Sequence, residues 1–543
     1  MKRLLLVGVS LLAVAASNRS MAADMPVKAF PPGGCDPYVN YSCLDSYLGD
    51  GFFTRLFRYY ALEWGHDSGP ADPKAPPGRR DGWPTTPQST PPMPFTEWPY
   101  GGTTTIGVTR PSSIDSPLMV ALGNTSIGSA MNDAHIQVYG WVEGGGNISN
   151  MKTKPGGNWP AAYDYTPNTV QLDQAVVYIE RLPDTVQKDH IDWGFRLSGI
   201  YGENYRYTTA YGLFSNQLLK SNSVNGFDMP MMYGELFVPQ PMEGLLIRVG
   251  RFISVPDIEA QLAPNNYMYT HSMTYTFDNY TNTGIQTTLA VTKNWFLQLG
   301  LTVGTEAMPW HWDAKIINPF PNPLYPDTTM LQDPGAKPSF TAGIRWTSDS
   351  GNDSFYVVAD GINNGVWGYN NLQWYGITYY HKINDQWHIS FETYNLHQNN
   401  VPNILNPTVQ NIVANGGTPF TPLQLPFNSP NMAQCANPAA LSCTASVQTF
   451  LTYINYSPNK LNNFSLRLEW YDDLEGQRTG TKTRYADAGI GWQHWFSPQI
   501  EIRPELSVYH SLDAPAFNGN FNAGIAPTKS TAVIASGDII IHF

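Results

Sequence analysis

The residues with most chemistry to offer are Arg467 with Glu469, Arg503 with Glu505, and a scatter of histidines: His190, His271, His381, His388, His494, His510 and His542. A spacing of two puts both members of each Arg/Glu pair on one face of an extended strand. They read first as charges that set an electric field along an interior wall, and only second as an acid–base pair. The chain has no G-x-S-x-G, no H-E-x-x-H, no phosphate-binding Gly loop and no Cys/His metal spacing. A hydrolase site can be assembled from separate strands without any sequence motif. Most strand histidines are nonetheless wall or rim residues, so the expectation is no enzyme, no catalytic residue, no cofactor and no metal site.

The four cysteines fall as two close pairs, Cys35 with Cys43 and Cys435 with Cys443. Each pair encloses a short loop with turn formers, and no histidine sits in or beside either one. In an oxidising compartment this spacing favours two local disulfides over a metal centre. Export is the expectation at the N-terminus. Met1 to Arg3 is basic, Leu4 to Ala16 is apolar but too short to span a bilayer, and Ser20-Met21-Ala22 suits a signal peptidase. Residues 1–22 are read as a signal peptide.

The elements that position the charges announce themselves by alternation. Period-two segments lie near 135–148, 170–182, 190–203, 231–239, 245–252, 284–291, 294–304 and 338–347. They continue near 354–361, 372–381, 386–396, 447–456, 463–471, 483–495, 499–510 and 532–543. The connections between them alternate short and long, as tight periplasmic turns and extended external loops would. The long set is 149–169, 204–230, 253–283, 305–337, 397–446 and 511–531, with shorter external connections at 362–371 and 472–482. A soluble sandwich has no reason to keep its long loops at one end. Residues 135–543 are therefore expected to form an all-β, transmembrane, antiparallel up-and-down barrel of about sixteen strands.

Composition agrees. The 543 residues carry 14% charged residues against 47 Gly, 31 Tyr, 24 Phe and 16 Trp, the balance of strands that are only half apolar. A net charge of −12 argues against nucleic acid. In Trp295 to Val303 the odd positions are bulky and apolar, hence lipid-facing. The same parity sends Arg196, Arg248, Arg345, Asp360, Glu392, Arg467, Glu469, Asp487, Glu501, Arg503, Glu505 and Asp538 inward. Arg or Lys on the lipid side near mid-bilayer would cost roughly 2–4 kcal/mol. Segments 170–182 and 372–381 are ambiguous in register.

Gly82-Trp83-Pro84, PPMPFTEWPYGG at Pro91 to Gly102, DWGFRLSGIYGENYRYT at Asp192 to Thr208, and GLLIRVGRF at Gly244 to Phe252 followed by Glu259 resemble the OmpL-like β-barrel porin family, the second such porin family of Gram-negative outer membranes. The resemblance implies an outer-membrane barrel of porin function, and it supplies no functional residues to carry over.

The expected activity is a water-filled channel for passive diffusion of small hydrophilic solutes. A sugar-selective porin, a non-conducting structural barrel and a barrel enzyme are the alternatives. Sixteen strands can close around an aqueous lumen. Loop 397–446, the longest, is the prime candidate to fold inward as a constriction, with an external cap as the equal alternative. Trp310, Trp312 and Trp367 could stack on sugars, although loop self-packing accounts for such aromatics more readily. Residues 23–134 read as a Pro-rich periplasmic extension, with a helix at 46–64 whose Leu48, Phe52, Leu56 and Tyr60 share a face. Expected partners are outer-membrane lipid, the solutes themselves, the barrel-assembly machinery through the strand ending in Phe543, and other copies in a homo-oligomer.

Overall fold

The computed structural model describes residues 37, 40–63, 104–107 and 116–543, apart from 220, 222, 254–256, 313–335, 369–370, 415–430, 460 and 498. The expected signal peptide and much of the Pro-rich stretch lie outside the described residues. Sixteen strands form one closed antiparallel sheet. They are β1 (Gln137–Ser149), β2 (Val170–Arg181), β3 (Asp192–Gly202), β4 (Gly226–Val238), β5 (Gly244–Ile253), β6 (Thr281–Ala290), β7 (Trp295–Thr305) and β8 (Ser339–Thr347). The second half is β9 (Asp353–Ile362), β10 (Gln373–Lys382), β11 (Trp387–Pro402), β12 (Ser442–Asn459), β13 (Asn462–Asp473), β14 (Thr483–Ser497), β15 (Ile500–Ile502 with Glu505–Ser511) and β16 (Thr531–His542). Strand β15 is interrupted at Arg503-Pro504, because proline has no N–H to give to the ladder. Among the described residues, no helix is long and apolar enough to cross a membrane.

The barrel closes where β16 pairs antiparallel with β1, from Trp141 opposite His542 to Ser149 opposite Ile534. Gly140 and Phe543 continue this seam by exchanging backbone hydrogen bonds. Only glycine fits at 140, since a Cβ there would lie 1.9 Å from the Val176 carbonyl oxygen and 2.7 Å from the Phe543 ring. On β7, Leu297, Leu299 and Leu301 are exposed on the outer wall, while Phe296, Gln298 and Thr302 are buried inside. Stacked pairs Trp387–Tyr456 and Phe464–Trp492 cluster near the periplasmic turns, where amphipathic rings suit a membrane interface.

The two ambiguous registers have structural causes. A bulge opposite Glu143/Gly144 breaks the alternation of β2, so that Asp173 and Gln174 are both buried. On β10, buried Trp374 and Tyr380 face inward while Tyr375 and Tyr379 lie on the outer face, so both faces carry aromatics.

The N-terminal helices are α1 (Leu44–Leu48), α2 (Phe52–Glu63), α3 (Pro117–Leu122) and α4 (Ser126–Asp133). The single helix expected over 46–64 is split, because Gly49 and Gly51 take φ of +71° and +88°. The buried face of α2 is Arg55, Tyr59 and Leu62; Phe52, Leu56 and Tyr60 are only half-buried. Arg55 explains the rotation, donating to the Val120 carbonyl at 3.0 Å and to Asp45 at 2.7 Å. Tyr60 donates its hydroxyl to the His542 carbonyl, which seats α2 on the periplasmic end of the β16 seam. Residues 104–107 enter the periplasmic mouth: Thr104 donates to Glu235 at 2.5 Å, and Ile106 packs with Phe237, Leu246, Ala290 and Phe296.

Candidate functional site

Strand parity and loop insertion together build the interior. The segment that crosses the lumen is 257–280, between β5 and β6, and it is buried along nearly its whole length. Of the two alternatives for 397–446, the described residues match the external cap. The described parts of that loop prolong β11 and β12 and pack on the external rim. There Trp367 donates its indole N–H to the Asn431 carbonyl at 3.0 Å, and Cys435 is bonded to Cys443 with a Cα–Cα distance of 6.0 Å. Cys43 also takes part in a disulfide; Cys35 lies outside the described residues.

The middle of segment 257–280, from Gln261 to Phe277, carries Asn, Thr, Ser, His and Tyr, neutral groups that can bond to a charged wall without bringing a like charge against it, while Asp257, Glu259 and Asp278 lie toward its ends. Its contacts run to one arc of the barrel. The Thr270 amide donates to Glu505 at 3.0 Å, and the Met273 amide to Glu469 at 3.0 Å. Arg467 donates to the Thr270 carbonyl at 2.7 Å, and Arg503 to the Asn266 carbonyl at 3.0 Å. The Ile258 amide donates to Glu392 at 2.9 Å, and the Tyr269 hydroxyl to Asp173 at 3.1 Å. Gly145 of β1 makes room for the last contact, since a Cβ there would sit 2.3 Å from the Tyr269 oxygen.

The twelve charges assigned inward by parity are all buried, and most fall into pairs or anchors. Arg196 pairs with Glu180 at 2.7 Å directly across the β2–β3 ladder. Arg248 bonds Glu235 at 2.9 Å across β4–β5, in the same directly opposed fashion. Arg345 lies 3.8 Å from the centre of the Phe296 ring. Asp360 accepts two bonds from the Asn282 amide at 2.8 and 3.0 Å. Arg467 reaches Asp487 at 3.2 Å, and Glu501 faces His542 at 3.3 Å. Arg503 pairs with Glu143 at 3.0 Å and also with Asp538. Glu392, Glu469 and Glu505 hold the crossing segment as described above. The carboxylates Glu143, Asp173, Glu180 and Glu235 complete this network and were not picked out from the sequence. For Glu180 and Glu235 the signal was present as an arginine directly opposite on the next strand, whereas Glu143 and Asp173 meet partners on non-adjacent elements.

Above the segment, external loops add an aromatic layer. Tyr163 stacks on Tyr207 with centroids 4.2 Å apart and on His271 at 3.8 Å. Burial lowers the His271 pKa to about 3, so the ring is neutral at physiological pH. Burial also pushes Glu259 up to about 7, against the opposing pull of the Arg467 guanidinium. Glu203 and Glu306, in external connections, are pushed to about 8 by burial.

The proposed sugar-stacking residues divide. Trp310 and Trp312 are 64% and 55% exposed, whereas Trp367 is 4% exposed and presents no free ring face. The expectation for Trp367 is thereby corrected: its indole is held inside the loop packing.

Residues 135–543 match a family described as "Putative beta-barrel porin-2, OmpL-like". Among curated proteins, none matches the chain. Solved structures that resemble it include an anion-selective porin from Comamonas acidovorans, with 9% identity and a TM-score of 0.41, covering 75% of this chain and 99% of that one. The outer-membrane channel DcaP of Acinetobacter baumannii has 9% identity and a TM-score of 0.41, over 75% and 97%. OmpF of Salmonella typhi, solved with daunomycin, has 10% identity and a TM-score of 0.42, over 76% and 99%.

Proposed function

We propose, from the premise that this chain belongs to the OmpL-like β-barrel porin-2 family, that it is a narrow diffusion channel of the outer membrane whose gauge is set by segment 257–280. The observation that carries this reading is a closed sixteen-strand barrel whose lumen is divided by one tethered segment. The tethers run to β2, β11, β12, β13 and β15. The route left to solutes is the opposite arc, β4 to β8, where Arg248, Gln286, Gln298, Thr302 and Arg345 face inward from buried positions and Thr104 and Ile106 occupy the periplasmic end. The close packing makes the passage suited to small hydrophilic solutes. The twelve inward charges act on it chiefly as a field, and since both signs are present, selectivity between anions and cations is weak.

No turnover is assigned to the chain. The ion pairs are wall structure: each inward arginine that faces a carboxylate has its charge compensated across the ladder or by the crossing segment. Residues 1–22 act as an export signal, β16 ending in Phe543 engages the barrel-assembly machinery, and the outer wall faces lipid or a second copy. Single-channel recording of the refolded chain in a planar bilayer tests the reading. Small ohmic steps with a reversal potential near zero under a salt gradient are expected, and a folded barrel that never conducts would refute it.

A second reading, a sugar-selective channel, is favoured by the exposed pair Trp310 and Trp312 beside the external mouth. Flat rings there can stack on a saccharide before it enters.

A further inference from the structure

Asp257, Asp278 and Glu392 each bring a carboxylate oxygen to one place, the three atoms lying within 4.8 Å of one another. All three residues are buried. Asp257 and Asp278 belong to the two ends of the crossing segment, and Glu392 stands on β11. One oxygen of each, Asp257 Oδ1, Asp278 Oδ2 and Glu392 Oε1, receives no hydrogen bond from outside the cluster, and Asp257 lies within hydrogen-bonding reach of both other acids. An independent residue stands beside Glu392 on the next strand. Thr378 on β10 is directly opposite Glu392, so both side chains project inward from one ladder position. Thr378 is fully buried, and its hydroxyl has no hydrogen-bond partner. The nearby Arg478 guanidinium turns its Nε and Nη2 to the Phe277 carbonyl, at 3.2 and 3.0 Å.

Three carboxylates around one buried point repel each other unless protons or a cation lie among them. Oxygens that share a calcium ion at 2.3–2.6 Å can stand up to about 5 Å apart, a limit within which the three carboxylate oxygens lie. Magnesium, at about 2.0–2.1 Å in strict octahedral geometry, draws its ligands to within roughly 4.2 Å and keeps more of its water. The donor set contains neither sulfur nor imidazole, so it suits a hard ion.

We propose that Asp257, Asp278, Glu392 and the Thr378 hydroxyl form a binding site for one divalent cation, calcium in preference to magnesium, which clips both ends of the crossing segment to the barrel wall. This site does not depend on conduction. A barrel that takes up calcium and never conducts would keep the site and remove the channel reading.

The experiment is calorimetric titration of calcium chloride into the refolded full chain after EDTA treatment, alongside D278N, E392Q and T378V. Heat-modifiable gel migration serves as the folding control for each. Wild type is expected to take up one calcium per chain, with affinity at least about tenfold weaker in D278N and E392Q and measurably weaker in T378V. Calcium should also raise the unfolding temperature of wild type and leave that of D278N unchanged. Absence of saturable uptake by wild type, or uptake by D278N and E392Q equal to wild type, would overturn the proposal. So would a D278N barrel that is more stable than wild type while wild type ignores calcium, since that is the behaviour of carboxyls sharing protons. T378V keeps every charge in place, and a folded T378V that binds calcium as tightly as wild type would also overturn the proposal, so it stays testable even if a charge-removing variant fails to fold.

Discussion

Gly140 and Phe543 exchange two backbone hydrogen bonds, of 3.0 Å from Gly140 and 2.8 Å from Phe543, and the Phe543 ring lies over the space where a side chain at 140 would be. The last residue of the chain is thus locked to the first strand of the barrel. Gly140→Val should prevent this closure, with a loss of at least about 2 kcal/mol. The measurement is the fraction of refolded protein that migrates as the compact form on an unheated gel. Migration equal to wild type would show that the seam tolerates a side chain there.

Arg503 is buried between Glu143 and Asp538 while donating to two carbonyls of the crossing segment. Arg503→Ala leaves two acids buried without their cation. The expected loss is about 3–5 kcal/mol, read as a lowered denaturant midpoint. A change under about 1 kcal/mol would mean that the acids find solvent or protons once the arginine is gone.

Glu469 holds the Met273 amide and Glu505 holds the Thr270 amide, so the double variant E469A/E505A should loosen the centre of the segment. Single-channel conductance is expected to rise about twofold or become noisy as the segment moves, because the constriction sets the current. Conductance and noise identical to wild type would place the narrowest point elsewhere.

Glu203 and Glu306 give the external half a defined pH response. Burial raises both folded-state pKa values to about 8, so the folded chain keeps protons that the unfolded chain has released. Stability should therefore fall as the pH climbs from about 4.5 to about 8 and level off above that. The unfolding temperature measured across this range should decline less steeply in E203Q/E306Q. A wild-type profile that rises over the same window contradicts the assignment.

If Trp310 and Trp312 guide saccharides to the mouth, W310A/W312A should lower disaccharide flux into liposomes severalfold while leaving salt conductance unchanged. Equal flux would dismiss the sugar reading. Trp367→Phe removes a buried indole and its hydrogen bond to the Asn431 carbonyl but no exposed ring, and its flux should match wild type.

The wall of this molecule was largely legible in the sequence because strand parity is a local property. Each of the sixteen alternating segments overlaps a strand, and the inward charges follow from a period of two residues. The ambiguities fall where parity breaks: at the β2 bulge, and on β10, where both faces carry aromatics. The choice of inserted loop was not legible, because length does not decide it. Segment 257–280 enters because Thr270, Met273 and Ile258 find carboxylates on β15, β13 and β11, partners far away in the chain. Its neutral, hydrogen-bonding composition was a usable signal, and the Asp257–Asp278–Glu392 cluster left none, since no spacing relates its members.

The same distances dictate a timetable. Thr270 and Glu505 are 235 positions apart, and Ala263 and Arg503 are 240 apart. When β5 and β6 have paired, β2, with Asp173 and Gln174, is the one wall strand holding the segment that precedes it in the chain, so its centre stays unfastened until β11, β13 and β15 join the wall. The interior consequently cannot set until the wall is nearly finished. A sheet lacking β13 to β15 would hold its crosspiece only by one side and one end, and arrival of the last strands would seal the perimeter and fasten the middle of the gate in one closing stage.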